Sequence, residues 1–212
     1  MIQKQSLQLL CEYGRRLAAD RLTTGTGGNL SIFDRKHGLT AITPSGLPYE
    51  QLTLGEISVI NPDGSLRQGK APSSEWPMHL AIYRARPDIS AIVHTHSPYA
   101  TTFAVLREEI PACHYLIAVT GSNSVRVAPY ATFGTEELAR QAAAGLARDN
   151  AILLANHGLL AIAPDIHRAY TIALHVEEVA KLYYRARAIG TPQILSQEEM
   201  RQAHERFKTY GR

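Results

Sequence analysis

Three histidines in two short phrases are placed to do chemistry together: His94 and His96 in AIVHTHSPYA, and His157 in AILLANHGLLAI. The first pair follows the apolar, β-branched run from Ile89 to Val93. Side chains at i and i+2 of an extended strand point to one face, so His94 and His96 project together. His157 closes a second apolar run, Ile152 to Ala155, and Gly158 follows it. Three neutral imidazoles with an open fourth position form the donor set of a catalytic zinc. A lone histidine in such a place is more often bonded to backbone; the pair plus a third in matching strand-to-loop context favours a metal.

Three polar loops have the residue types of an anion site. Gly25-Thr26-Gly27-Gly28-Asn29 runs from a helix into a strand, the reverse of a dinucleotide fingerprint, and GxGxxG is not matched. Its backbone amides can cradle an anion, although for this loop taken alone a simple helix-to-strand turn is the favoured reading. Thr43-Pro44-Ser45-Gly46 adds hydroxyls and a free amide, and Ser73-Ser74 adds two more hydroxyls at a helix N-terminus, where amides and dipole favour phosphate. Together they resemble the pieces of a composite phosphate pocket. Glu75 follows directly. In a first helical turn a carboxylate complements the dipole; beside a metal it is an acid/base, and spacing alone does not choose.

Other candidates are weaker. His79 reads as a helix-surface residue or a support for a ligand, His167 and His175 as packing residues, and His37 and His204 as solvent-facing. HExxH, GxSxG and Cys-His nucleophile patterns are absent. Lys70 and Lys181 lack the apolar surroundings that would lower their pKa for Schiff-base chemistry.

The chain has 212 residues, 45% hydrophobic and 19% charged, with a net charge of +3. That length suits a single domain over residues 1–212 with a sizeable core. There is no Lys/Arg block, so charge gives no reason to invoke nucleic acid, and the mildly basic balance suits a small anionic substrate. Cys11 reads as a small core residue, and neither it nor Cys113 belongs to a CxxC pattern, as in a reducing cytoplasm. The N-terminus lacks a signal-peptide apolar region and no run is long enough to span a bilayer. A soluble, cytoplasmic protein is expected, with neither nucleic acid nor membrane as partner.

The elements that must position these residues follow from periodicity. Residues 3–22 have helical apolar spacing. NLSIFD, GLTAIT and ISVINPDGSL read as strands and turns, and 73–87 as a helix capped by Ser73 or Ser74, with Pro77 in its first turn. ISAIVHTH is a buried strand, PYATTFAVLR a helix and VRVAPY a short strand. A helix capped by Thr135 precedes the strand pair AILLANHG and LLAIA. A long helix to Gly190 and a last helix opened by a Ser196/Glu199 capping box complete the chain. Tightly turned strands alternating irregularly with helices predict an α/β fold: α/β/α layers around a mainly antiparallel sheet.

With these residues in hand, the chain resembles the class II aldolase/adducin family. The resemblance runs nearly end to end through TGTGGNLS, ITPSGLPYEQLT, GKAPSSEWPMH, AIVHTH, IPACHYLIAVTGSNSV, APYATFGTEEL, NHGLLA and FKTYG. It implies zinc, one per subunit, on His94, His96 and His157, with Glu75 as a further ligand and the catalytic acid/base. It implies a phosphate site at Gly28, Asn29, Ser45, Gly46, Ser73 and Ser74. Tyr115 matches a catalytic tyrosine contributed by a neighbouring subunit, and Phe133 and Tyr210 match aromatic residues on the aldehyde side. The implied assembly is a homotetramer with active sites at subunit interfaces. The implied reaction is reversible cleavage of a (deoxy)ketose 1-phosphate, such as L-fuculose 1-phosphate, to dihydroxyacetone phosphate and an aldehyde. Aldolases of 5-deoxyribulose or 5-methylthioribulose 1-phosphate, pentulose-phosphate 4-epimerases, dehydratases and a non-catalytic interaction domain are the alternatives. Ser45 replaces a threonine of the nearest pattern, keeping the hydroxyl, and HTHSPY and VTGSNS also depart from it.

Overall fold

The computed structural model describes residues 2–209; Tyr210 lies outside the described residues. The chain opens with α1 (Lys4–Ala19), which buries Leu7, Leu10, Cys11 and Leu17 along one face, as their spacing requires. There follow β1 (Asn29–Asp34), β2 (Leu39–Ile42), β3 (Ser58–Ile60), β4 (Leu66–Gln68), α2 (Trp76–Ala85), β5 (Ala91–Thr95) and α3 (Pro98–Leu106). The second half holds β6 (Ile110–Pro111), a 3₁₀ helix at Tyr115–Thr120, β7 (Ser124–Val125) and β8 (Val127–Ala128). Then come α4 (Glu136–Leu146), β9 (Ala151–Leu154), β10 (Gly158–Ala163), α5 (Ile166–Ile189) and α6 (Gln197–Thr209).

Three helix starts carry side-chain caps, two of them at the residues the sequence implies. The Thr135 hydroxyl accepts the Leu138 amide at 3.2 Å, and Asp165 accepts the Arg168 amide at 2.8 Å. Ser196 and Glu199 exchange the two bonds of a capping box. The fourth start differs. α2 begins at Trp76, so neither Ser73 nor Ser74 caps it in the expected way; the Ser73 hydroxyl instead accepts the Glu75 amide at 3.3 Å. That displacement leaves Glu75 at the N-cap, turned inward.

The main sheet has eight strands in the order β4-β3-β2-β1-β5-β10-β9-β8, antiparallel throughout except for β8 beside β9. The mainly antiparallel prediction holds. β4 carries no apolar signal because all three of its residues are exposed, and β6 pairs with β7 over two residues only. One face of the sheet gives Leu30, Val93, Leu159 and Ala161 to a core shared with α1, α3 and α5. The other gives Ile92, Leu160 and Ile162 to a core shared with α2 and α4. Among the described residues, no helix is long and apolar enough to cross a membrane.

β5 lies between β1 and β10 and runs antiparallel to both, with His94 opposite Asn29 on one side and Leu160 on the other. The start of β1, the end of β5 and the start of β10 therefore share one edge. So does the end of β2, antiparallel to β1, and a bridge from Pro44 to Pro72 brings the Ser73–Glu75 segment alongside. Close approach at this edge needs two glycines. A Cβ on Gly158 would sit 2.3 Å from the Thr95 carbonyl oxygen, and one on Gly28, at φ +68°, 2.5 Å from that of His94. Gly28→Ala is expected to cost ~1–2 kcal/mol from left-handed strain alone, before the collision with strand β5. Urea unfolding measures this; an unchanged midpoint would show that the loop yields without cost.

Candidate metal centre

His94 sits inside β5 and is fully buried, not at the strand's mouth as expected. His96 lies just past the strand, on the same side by strand alternation. His157 occupies the turn between β9 and β10, after Asn156, whose φ of +54° sets the tight reversal. The three rings meet edge to edge with centroids 4.8–5.0 Å apart. His94 Nε2 is 3.1 Å from His96 Nε2 and 3.3 Å from His157 Nε2. Glu75 completes the cluster: Oε2 lies 3.2 Å from His94 Nε2 and Oε1 3.3 Å from His157 Nε2.

This donor set fits a divalent cation. His94 Nδ1 is 3.0 Å from the Leu159 carbonyl oxygen, so the neutral ring donates there and turns the bare Nε2 toward its neighbours. Lone pairs at such separations, beside a buried carboxylate, repel unless positive charge lies among them. Burial, with the charge His94 carries when protonated, pushes His96 down to about 3 and His157 down to about 4, which keeps both as neutral donors. Burial opposes ionisation of Glu75, but His94, then His157 and the Asn29 amide, outweigh it and hold the carboxyl well below the usual range. Burial likewise opposes charge on His94, yet Glu75 raises its affinity for a proton, so proton and metal compete for one nitrogen. Glu75 Oε1 is buried and makes no hydrogen bond.

Beside the cluster lies a cleft of about 410 Å³. Gly28, Asn29, Ser45, Gly46, Ser73 and Ser74 all line it, together with Glu75, His96 and His157. The anion-site and metal predictions thus fall on one continuous surface. The detail differs from expectation at three groups. The Ser45 amide is bonded to Ala71 O and the Ser73 amide to Thr43 O, and the Thr43 hydroxyl accepts the Leu30 amide. From Ser45 and Ser73 it is therefore the hydroxyls that remain available. The Asn29 side chain has Nδ2 donating to Glu75 at 2.8 Å and Oδ1 facing His79 Nε2 at 2.6 Å. His79 is fully buried, not on a helix surface.

Phe133 reaches the cleft rim and is 66% exposed. Tyr115 does not reach it: the ring is half exposed in a separate groove with Leu116, His175 and Phe207. Sequence reasoning missed Tyr130 and Asn156, which also line the cleft, and Tyr49, whose hydroxyl holds the glycine loop through the carbonyls of Gly27 and Gly28. Loop residues of this kind have no periodic signature.

The profile of the Class II Aldolase and Adducin N-terminal domain family matches residues 8–184. A 5-deoxy-D-ribulose 1-phosphate aldolase of Bacillus thuringiensis is 48% identical over 212 residues, covering 100% of this chain and 99% of that protein. An L-fuculose phosphate aldolase of Escherichia coli K12 is 46% identical over 191 residues, covering 90% and 88%. A solved structure of an L-fuculose 1-phosphate aldolase superposes with a TM-score of 0.95 at 48% identity, covering 98% of each chain.

His157→Ala, at a half-buried turn position, is expected to abolish metal uptake while leaving the fold intact; His94→Ala should do the same with some loss of stability. Metal content by mass spectrometry on protein equilibrated with zinc checks this. Wild-type content in both variants would remove the metal centre.

Proposed function

The chain belongs to the class II aldolase and adducin family and is an aldehyde-lyase of that metal-dependent kind; from that premise we propose that it reversibly cleaves a deoxyketose 1-phosphate to dihydroxyacetone phosphate and an aldehyde. The observation that carries this reading is the continuity of the two predicted sites: Glu75, His96 and His157 line the same cleft as six anion-site residues. Substrates of the L-fuculose 1-phosphate and 5-deoxyribulose 1-phosphate types both fit the relatives. Relatives named for the two substrates match nearly end to end at 48% identity alike, and a substrate assay separates them.

In this reading His94, His96 and His157 hold one zinc per subunit. When bound, it supplies a Lewis acid that offsets the negative charge growing on the substrate's carbonyl and adjacent hydroxyl oxygens. The hydroxyls of Ser45, Ser73 and Ser74 and the glycine loops hold the phosphate, so that C3 lies beside Glu75. In the cleavage direction the C4 hydroxyl gives its proton to solvent as the C3–C4 bond breaks; the pair left on oxygen forms the aldehyde carbonyl and the pair of the broken bond goes to C3. The Glu75 carboxylate, ionised at rest, carries one proton from solvent to C3 and so completes dihydroxyacetone phosphate; in synthesis the same carboxylate removes it. The hydrogen-bond-free Oε1 is the oxygen available for that work. Phe133, and Tyr210 outside the described residues, would line the aldehyde side. Tyr115 would serve the aldehyde oxygen of a neighbouring subunit, since it lies apart from this chain's own cleft. A homotetramer with sites at its interfaces accommodates that, and two unpaired cysteines suit a cytoplasmic location.

Glu75→Gln is expected to reduce kcat by about 10²–10⁴-fold with zinc retained by the histidines. Solvent-proton exchange into dihydroxyacetone phosphate, which needs no aldehyde, should fall in parallel; exchange at the wild-type rate would transfer the role to another group. The paired change Ser73→Ala and Ser74→Ala should raise KM for the phosphorylated ketose, each lost bond to a charged group being worth about 1.5–3 kcal/mol. An unchanged KM would move the phosphate elsewhere. A product assay over a panel of deoxyketose 1-phosphates selects the substrate.

A further inference from the structure

Between the sheet and α2 runs a line of buried polar side chains, of which only Asn29 also borders the cleft. Asn29 and Ser31 are two apart on β1 and share its α2-facing side; His79 and Tyr83 are four apart on α2 and share its sheet-facing side. Ser31 and His79 are 0% exposed, and Asn29 and Tyr83 only 4%. Asn29 Nδ2 lies 2.8 Å from Glu75 Oε2, and Asn29 Oδ1 lies 2.6 Å from His79 Nε2. Ser31 Oγ is 2.6 Å from His79 Nδ1 and 2.7 Å from the Tyr83 hydroxyl.

One arrangement of protons satisfies this line. A carboxylate only accepts, so the Asn29 amide group must face Glu75 and its carbonyl must face His79. That carbonyl only accepts, so the His79 proton sits on Nε2. The bare Nδ1 then accepts from the Ser31 hydroxyl. The single Ser31 proton is thereby used, and the Tyr83 hydroxyl donates to Ser31 Oγ, with the Ser90 carbonyl 3.4 Å away. Burial, reinforced by His94, pushes His79 down to about 3, so the ring stays neutral and keeps this order.

We propose that His79 is a positioning residue for Glu75: its Nε2–H fixes the Asn29 carboxamide, which in turn holds the Glu75 carboxylate against the three imidazoles. Ser31 and Tyr83 set the tautomer that makes this donation possible. Glu75 stands at the end of α2, whereas His94 stands on β5. The line ties helix to sheet through β1, so the carboxylate keeps its place relative to the metal ligands. Without it, Asn29 would be free to turn about its last torsion, and Glu75 would keep only the imidazoles as neighbours. This inference rests on the reading of Glu75 as the proton carrier.

Two measurements test it. Long-range ¹⁵N–¹H spectroscopy on ring-labelled protein, with zinc present and absent, reads the His79 tautomer, assigned by its disappearance in His79→Gln. The Nε2–H form with a slowly exchanging ring proton is expected; an Nδ1–H or doubly protonated ring would overturn the proposal. Solvent exchange into dihydroxyacetone phosphate then separates positioning from packing. His79→Leu should lower the exchange kcat by about 10–100-fold with little change in KM. His79→Gln retains an N–H for Asn29 and should recover most of that rate. Equal losses in the two variants, or a loss confined to KM, would overturn the proposal. The tautomer and the His79→Gln rate decide the matter even where His79→Leu fails to fold. A wild-type protein that exchanges no protons would defeat the aldolase reading instead, and the tautomer result would stand apart from it.

Discussion

β5 is held between two antiparallel partners, and the site exists because of that pairing. An antiparallel neighbour begins where the central strand ends. β1 and β10 therefore start at the point where β5 delivers His94 and His96, and β2 ends there too. Four loops converge on one sheet edge without any of them being long. A parallel neighbour would have carried its start to the opposite edge, and the glycine loop and His157 would lie a strand length from the histidine pair.

The convergence concentrates groups that water would otherwise keep apart. A carboxylate and a histidine with less than a tenth of their surface exposed meet two more imidazoles within hydrogen-bond distance. Taking a carboxylate out of water costs several kcal/mol unless partners replace the solvent. Here the replacements are His94, His157 and the Asn29 amide on one side, and the cation that this donor set suits on the other. The same arithmetic explains why His96 and His157 stay neutral: each is pressed by burial and by the charge that His94 carries when protonated. Neutral imidazoles are what a metal requires, so the electrostatics that destabilise the charged rings prepare the ligands.

The surrounding fold absorbs this strain by being otherwise well satisfied. Each face of the sheet is sealed by its own helical layer, and the residues of β5 and β10 alternate cleanly between the two cores. The backbone reaches the site through left-handed turns at Gly28 and Asn156. Glu177, on α5, accepts the amides of Tyr99 and Ala100 at the start of α3, three and four residues beyond His96. The elements that carry the ligands are thus capped, packed and crossed by short connections.

Much of this was legible in the residues. Strand alternation fixed His94 and His96 to one side, because that relation is local and independent of what the strand pairs with. Caps at Thr135 and Ser196, the helical stripe of α1 and the mainly antiparallel sheet follow from the same short-range rules. The anion-site loops were visible as composition, and the family resemblance named the residues within them. What the sequence left open depends on pairing and register. The exposed strand β4 has no apolar pattern to announce it. The start of α2 at Trp76, with Glu75 turned inward, comes beside the Pro44–Pro72 bridge, a contact that capping preference does not reveal. Asn29, taken for a phosphate ligand, has its side chain committed to Glu75 and His79, and His79 proves to be interior. Tyr115, which the resemblance assigns to a neighbouring subunit's site, lies in a groove apart from this chain's own cleft. Apart from the β3–β4 hairpin, these relations join residues dozens of positions apart, and their distance is set by which strands become neighbours, a choice made by the burial of the whole core and not by any segment of it.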